Sequence, residues 1–188
     1  MTNKLKFTPA TIPLKDGTPI LIRECLPNEA IALMEMVKQY IADSEHLLIT
    51  PKEFNFSVDY ETNWINSLNE RSNSLLLVAE HEGQLVGNID LTGGQRTRIQ
   101  HTALLGMGML AAYRGKGLGK ALMQCAIDWA RQNPVLEYLW LQVYASHSAG
   151  LALYQQMGFQ ETGRQHKFVK KAPGVYEDNV LMELRIAD

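Results

Sequence analysis

Apolar positions along this chain switch between a helical and a strand-like spacing, and the switches mark out its elements. Residues 1–17 carry the breakers Pro9, Pro13 and Asp16-Gly17 and read as an irregular lead-in, leaving one domain over 18–188. Thr18 to Cys25 reads as a first strand. Asn28 is a plausible N-cap for a helix over Glu29 to Asp43, in which Ala30, Leu33, Met34, Val37 and Ile41 keep helical spacing. A loop with His46, Thr50, Pro51 and Phe54 follows. Ser57 then caps a second helix whose one face holds Tyr60, Trp64, Ile65 and Leu68.

The next segments look like strands. Ser74 to Glu80 and Leu85 to Leu91 flank His81-Glu82-Gly83-Gln84, which predicts a hairpin. Thr92 to Gln95, with Arg96 and Arg98, forms the next loop. Ile99 to Leu110 contains the run ALLGMGML. Glycines inside a strand mark a bulge or a close approach to the backbone. Gly117 to Gln132 is the clearest helix, with Leu118, Ala121, Leu122, Cys125, Ala126 and Trp129 on one side and Asn133-Pro134 as its stop. Leu136 to Tyr144 reads as a strand. Ser148 to Met157 reads as a short helix, and Gly158 suits its C-terminal left-handed position. Phe159 to Gly163 and Tyr176 to Ile186 supply the final strands. This order predicts an α/β or α+β domain with one sheet covered on both faces.

Composition narrows the class without naming a function. The 188 residues are 46% hydrophobic and 20% charged, and 18 basic against 20 acidic residues give a net charge of −2. That is enough apolar content for a packed core. There is no basic excess of the kind a nucleic-acid partner demands. No apolar run approaches the roughly 20 residues of a membrane span. Met1 to Lys6 lack the apolar stretch of a secretion signal. Cys25 and Cys125 are too few for a disulfide framework, and the five histidines show no spacing that suits a metal, so none is expected. A cytoplasmic protein is expected.

The chemistry gathers in Tyr113-Arg114-Gly115-Lys116-Gly117-Leu118-Gly119-Lys120, between an apolar strand and the clearest helix. Three glycines in five positions bare the backbone to a ligand. Consecutive N–H groups and the helix N-terminus favour an anion, and Arg114, Lys116 and Lys120 add positive charge. A diphosphate suits this arrangement. The spacing is G-x-G-x-G, so it matches neither the mononucleotide loop nor the dinucleotide fingerprint. Arg114 to Gly119 fit instead the pattern Q/R-x-x-G-x-G/A that binds coenzyme A.

A second segment, HSAGLALYQQMGF over His147 to Phe159, joins it. Together, YRGKGLGKALM and GLALYQQMGF resemble the two signature segments of the GCN5-related N-acetyltransferase superfamily. Leu153, Tyr154, Gly158 and Phe159 stand at the right spacing. TALLGMGML and GVYEDNVLMEL add a likeness to the bacterial branch that acetylates small amines, amino acids or protein N-termini. The resemblance implies a mixed, mostly antiparallel sheet of about seven strands with about four helices. It also implies acetyl-CoA as cosubstrate and a small-molecule or peptide amine as acceptor, and family members are often dimers. Two positions depart from the pattern: His147 and Gly150 stand where the family usually has Asn and Ala. Leu104 falls near where many members carry a catalytic Glu.

What the resemblance implies for the reaction can be placed on residues. The backbone of Arg114, Gly115, Lys116, Gly117, Leu118, Gly119 and Lys120 would hold the diphosphate. The strand edge Met107 to Ala111 would receive the pantetheine arm, near His147, and Met109 or Leu110 would donate an N–H to the thioester oxygen. Tyr154 would protonate the leaving thiolate, its pKa of about 10 keeping it protonated at neutral pH. The acceptor must lose a proton, and Glu24, Glu45, Asp90 and His101 are candidate bases, with His101 favoured. The first two helices and their loop, with Phe54, Tyr60 and Trp64, would form the acceptor side. Arg96 and Arg98 are either solvated or meet an acidic acceptor. A non-catalytic acyl-CoA sensor and a nucleotide-binding interaction domain are the competing functions.

Overall fold

The computed structural model describes residues 5–187. Its strands are β1 (Ala10–Pro13), β2 (Pro19–Glu24), β3 (Leu75–His81), β4 (Gln84–Gly93), β5 (Thr102–Met109), β6 (Tyr138–Tyr144), β7 (Gln160–Ala172) and β8 (Val175–Arg185). They form one sheet in the order β1-β2-β3-β4-β5-β6-β8-β7. Every neighbouring pair is antiparallel except β5 and β6. The mixed, mostly antiparallel sheet is as expected, with eight strands in place of about seven. Strand β1 corrects the reading of residues 1–17 as an irregular lead-in. Its four residues are too short to show a period, yet they pair in register with Pro19–Ile22.

Helices cover both faces. Helices α1 (Ala30–Ala42) and α2 (Val58–Glu70) pack on one side through Leu33, Val37, Ile65 and Leu68, against Leu76 and Val78 of β3. Helix α3 (Leu118–Gln132) packs on the other through Leu122, Ala126 and Trp129, against Leu75, Leu77 and Ile89. Helix α4 (Ser148–Gln156) joins that second side through Leu151 and Leu153. A strand buried on both faces needs no alternation, which is why β3 opens LLLVA without a polar break.

Local chemistry sets most boundaries. Ser57 caps α2 as predicted, its Oγ accepting from the Tyr60 N–H at 3.1 Å. Asn28 does not cap α1. Pro27–Glu29 form a 3-10 turn instead, and Glu29 becomes the cap residue. The Glu29 carboxylate accepts from the Leu26 N–H at 2.8 Å and from Arg23 at 2.6 and 2.8 Å. Strand β7 runs to Ala172, well past the predicted Gly163, because it is an edge strand with mostly exposed side chains. Charges on an edge deter pairing with other chains and also hide the strand from an apolar pattern.

Strands β3 and β4 are joined by Glu82 and Gly83, both at positive φ (51° and 79°). That is the geometry of a two-residue type I′ turn, where Asn-Gly is favoured and Glu is strained. Glu82→Asn is therefore expected to stabilise the protein by about 0.5–1 kcal/mol, read as a higher denaturant midpoint with an unchanged slope.

Candidate active site

Strands β5 and β6 pair only through Thr102–Leu104 and Tyr138–Trp140, then part. A cleft of about 1230 Å³ opens between Leu105–Met109 and Gln142–Tyr144. Helix α4, the start of α3 and the loop after α1 close its other sides. The backbone of β5 faces this cleft in a definite way. The Leu110 N–H donates to the Val86 carbonyl at 3.0 Å, and those two residues lie opposite one another in the β4–β5 register. Antiparallel pairs alternate, so Gly108 and Gly106 also bond toward β4, while the N–H groups of Met107 and Met109 point the other way, into the cleft. This leaves Met109 as the expected oxyanion donor and removes Leu110, whose N–H is engaged. Ala111 is removed from the strand edge as well, because it opens a 3-10 turn over Ala111–Tyr113.

The glycine-rich loop enters α3 at the end of β5. Gly115 and Gly117 have φ of 74° and 97°, angles that residues with a side chain resist. A Cβ at Gly115 would meet nothing within 4 Å, so open space lies before the backbone there. No side chain caps α3, and its first bond runs from the Ala121 N–H to the Gly117 carbonyl. The N–H groups of the first turn thus stay available at the positive end of the helix dipole. Gly119 serves packing: a Cβ there would lie 3.1 Å from Met109 Cε and 3.2 Å from Leu153 Cδ2. These residues fit a diphosphate.

The three cations of this loop have separate tasks. Lys120 lines the cleft. Lys116 does not; its Nζ pairs with Asp16 at 3.0 Å. Arg114 lines the cleft but is also a tie. Its guanidinium donates to the Met109 carbonyl at 3.2 and 3.3 Å and to the Asp43 carbonyl at 3.2 Å. Lys15, from the stretch read as lead-in, lines the cleft in the place expected of Lys116. Its backbone N–H donates to the Lys116 carbonyl at 3.0 Å, a long-range pairing that no local pattern signals. Leu118 is buried under the loop and holds α3 to the core.

On the opposite wall, Tyr154 of α4 lines the cleft, and no hydrogen bond engages its hydroxyl among the described residues. Burial pushes its pKa up, which keeps the proton in place. His147 also lines the cleft, stacked on His46 with ring centroids 4.2 Å apart and planes 6° from parallel. Burial, then His46 and Arg114, lower the His147 pKa, so it is neutral at physiological pH. The two departures from the family pattern prove to be one adjustment. A Cβ at Gly150 would fall 2.6 Å from His147 Cδ2, so the imidazole occupies the space where Ala would stand.

The side expected to receive the acceptor begins at the two strand glycines. Asp90 lies opposite Gly106, and a Cβ there would sit 2.7 Å from Asp90 Oδ1. At Gly108 a Cβ would strike the Tyr40 ring at 2.4 to 2.7 Å. The glycines thus mark close approach and not a bulge. They let a carboxylate and an aromatic ring lie on β5. Burial pushes the Asp90 carboxyl up to about 7, against a partial offset from the Thr92 hydroxyl. A second cavity, of about 260 Å³, opens beside Asp90 between α1, α2 and β4, and Tyr40 and Leu47 line both spaces. His101, the favoured base, does not reach either space. It precedes β5 at the end remote from the cleft, its carbonyl accepting from the Glu137 and Tyr138 N–H groups. Arg96 and Arg98 lie exposed in the loop before it. Glu24 is also elsewhere, accepting from the Phe7 N–H at 2.8 Å, while Glu45 lines the main cleft.

Two comparisons between variants test this geometry. Gly150→Ala alone is expected to lower the melting temperature, whereas adding His147→Asn restores it, with a coupling of about 1 kcal/mol or more in a double-mutant thermal cycle. Lys120→Ala is expected to weaken acetyl-CoA binding in calorimetry more than Lys116→Ala does.

Comparison with known proteins identifies the fold. The chain is 29% identical over 115 residues to the ribosomal protein bS18-alanine N-acetyltransferase of Salmonella typhimurium, covering 57% of this chain and 76% of that enzyme. The fold superposes on an acetyltransferase of the GNAT family from Streptococcus pneumoniae with a TM-score of 0.85 and 26% identity, over 88% of this chain and 99% of that one. It also superposes on yncA from Salmonella typhimurium, solved with its cofactor acetyl-CoA, with a TM-score of 0.79 and 19% identity, over 90% and 95% of the two chains. Residues 40–159, which run from Tyr40 at the wall between the two cavities through both signature segments, match the acetyltransferase (GNAT) family, and the chain belongs to that family.

Proposed function

We propose that this N-acetyltransferase moves an acetyl group from acetyl-CoA directly onto a primary amine, with Asp90 taking the amine proton and Tyr154 protonating the leaving thiolate. The observation that carries the assignment is Asp90 itself. It is a half-buried carboxylate, laid on the bare backbone of Gly106 where the cleft and the second cavity adjoin. It stands on the strand next to Leu104, so the acid missing from β5 is supplied from β4. That supports a catalyst over a non-catalytic sensor.

Acetyl-CoA, when bound, supplies an activated thioester. The chain's own groups do the rest. The uncapped first turn of α3 and Lys120 hold the diphosphate. The Met109 N–H faces the place where negative charge develops on the carbonyl oxygen, and a fixed donor there acts without reorganising. An ammonium has no lone pair, so the acceptor must first give up a proton. A base with a pKa of about 7 accepts it at neutral pH and still releases it afterwards. Tyr154 is a phenol with its pKa pushed up, so it remains a proton donor.

The pH dependence follows with a definite sign. Only ionised Asp90 can act, so kcat/KM rises with pH through about 7 and levels above it. Asp90→Asn is expected to lower kcat by about 100-fold or more and remove that limb, with acetyl-CoA affinity unchanged. An Asn variant with full activity and the same profile would overturn the assignment. Tyr154→Phe is expected to reduce kcat by about 10- to 100-fold while calorimetry still detects acetyl-CoA binding.

A further inference from the structure

The cavity beside Asp90 has a composition that selects its guest. Aliphatic and aromatic side chains, among them Leu33, Val37, Phe54 and Trp64, form its walls. Glu61 and Asp90 are its charged groups, and no Lys, Arg or His lines it among the described residues. Glu61, in the first turn of α2, is only 5% exposed, yet no hydrogen bond or ion pair engages its carboxylate among the described residues. Burial alone pushes its pKa up. A carboxylate that loses most of its water without gaining a partner is costly, and a cation entering the cavity offsets that cost. Both acids act on Tyr40: burial first, then the charges of Asp90 and Glu61, raise its pKa. The two carboxylates line the same small cavity as Tyr40, whose ring also stands at the wall shared with the acetyl-CoA cleft.

We propose that the acceptor is a compact apolar primary amine without a carboxylate, of the arylalkyl or branched-alkyl class, its ammonium held between Glu61 and Asp90 and its body against Trp64 and Phe54. This rests on the reading that acetyl transfer takes place beside Asp90. A free amino acid would bring its own carboxylate against two acids with no cation to receive it. A diamine would bury its second ammonium among Leu33, Val37 and Phe54. At about 260 Å³ the cavity has room for one small side group and no run of residues. Trp64 and Tyr60 add aromatic surface that attracts an alkylammonium.

The test measures release of free CoA thiol by the full chain with saturating acetyl-CoA. Acceptors are offered as matched pairs: phenethylamine with phenylalanine, tryptamine with tryptophan, isoamylamine with leucine. Putrescine and an alanine-initiated peptide complete the panel. Each amine is expected to exceed its amino acid by about 100-fold or more in kcat/KM. Glu61→Gln is expected to raise the KM for phenethylamine by about 10-fold, with the KM for acetyl-CoA unchanged. Phenethylamine is also expected to quench tryptophan fluorescence of the intact wild-type chain, phenylalanine is not, and Trp64→Phe should abolish the quenching. Preference for the amino acids, putrescine or the peptide overturns the proposal, as does a Gln variant that folds and keeps the wild-type KM. Tight acetyl-CoA binding with no turnover of any amine overturns the transfer reading beneath it, a result distinct from a changed preference.

Discussion

Beyond Leu104 the β5 backbone turns alternate N–H groups toward a gap, because β5 and β6 pair over three residues and then separate. Hydrogen-bonding groups inside a fold demand partners, and a strand edge facing a cleft is a standing invitation to one. The rest of the molecule is arranged around that edge. Helix α3 starts at its end and presents free N–H groups. Helix α4 supplies Tyr154 from across the gap. On the face of β5 that carries Gly106 and Gly108, the missing side chains admit Asp90 and Tyr40.

Empty space on a backbone is used twice in this way. At Gly106 and Gly108 it brings an acid and a ring from β4 and α1 onto the strand. At Gly150 it admits the imidazole of His147, which would collide with any Cβ. Arg114 then links the parts. By bonding the carbonyls of Met109 and Asp43, it joins the phosphate-side loop to the end of β5 and to the C-terminus of α1. The helix so anchored is the one that carries Tyr40, so the two substrate spaces share a fixed wall.

Much of this was legible along the chain. The hairpin, the Ser57 cap, the face of α3 and the two signature segments depend on local spacing, and local spacing survives in a single sequence. Other features depend on distant partners. Lys116 looks like its neighbour Lys120 until Asp16 is folded beside it. His101 looks like a base on a strand near the chemistry, but it lies at the wrong end of that strand. Glu61 sits among the polar residues of α2 and shows no sign of burial until α1 and β4 close over it. Strand β7 was shortened because an edge strand with charged faces has no apolar period to read. Strand β1 has four residues, too few to reveal a period, and Lys15 is placed by a backbone bond to the distant Lys116 carbonyl.

The carboxyl of Asp90 also ties the working form of the protein to its durability. Its folded pKa, about 7, lies above the ordinary value of 3.8, so between those limits the folded chain holds a proton that the unfolded chain has released. The stability this proton confers is complete below the lower limit and is lost as pH rises through the upper one. The ionised Asp90 that the proposed proton transfer requires is therefore the state in which the fold is weakest. An Asn at this position, useless as a base, relieves that burden at alkaline pH, so selection for thermal endurance alone would act against the residue placed best for transfer.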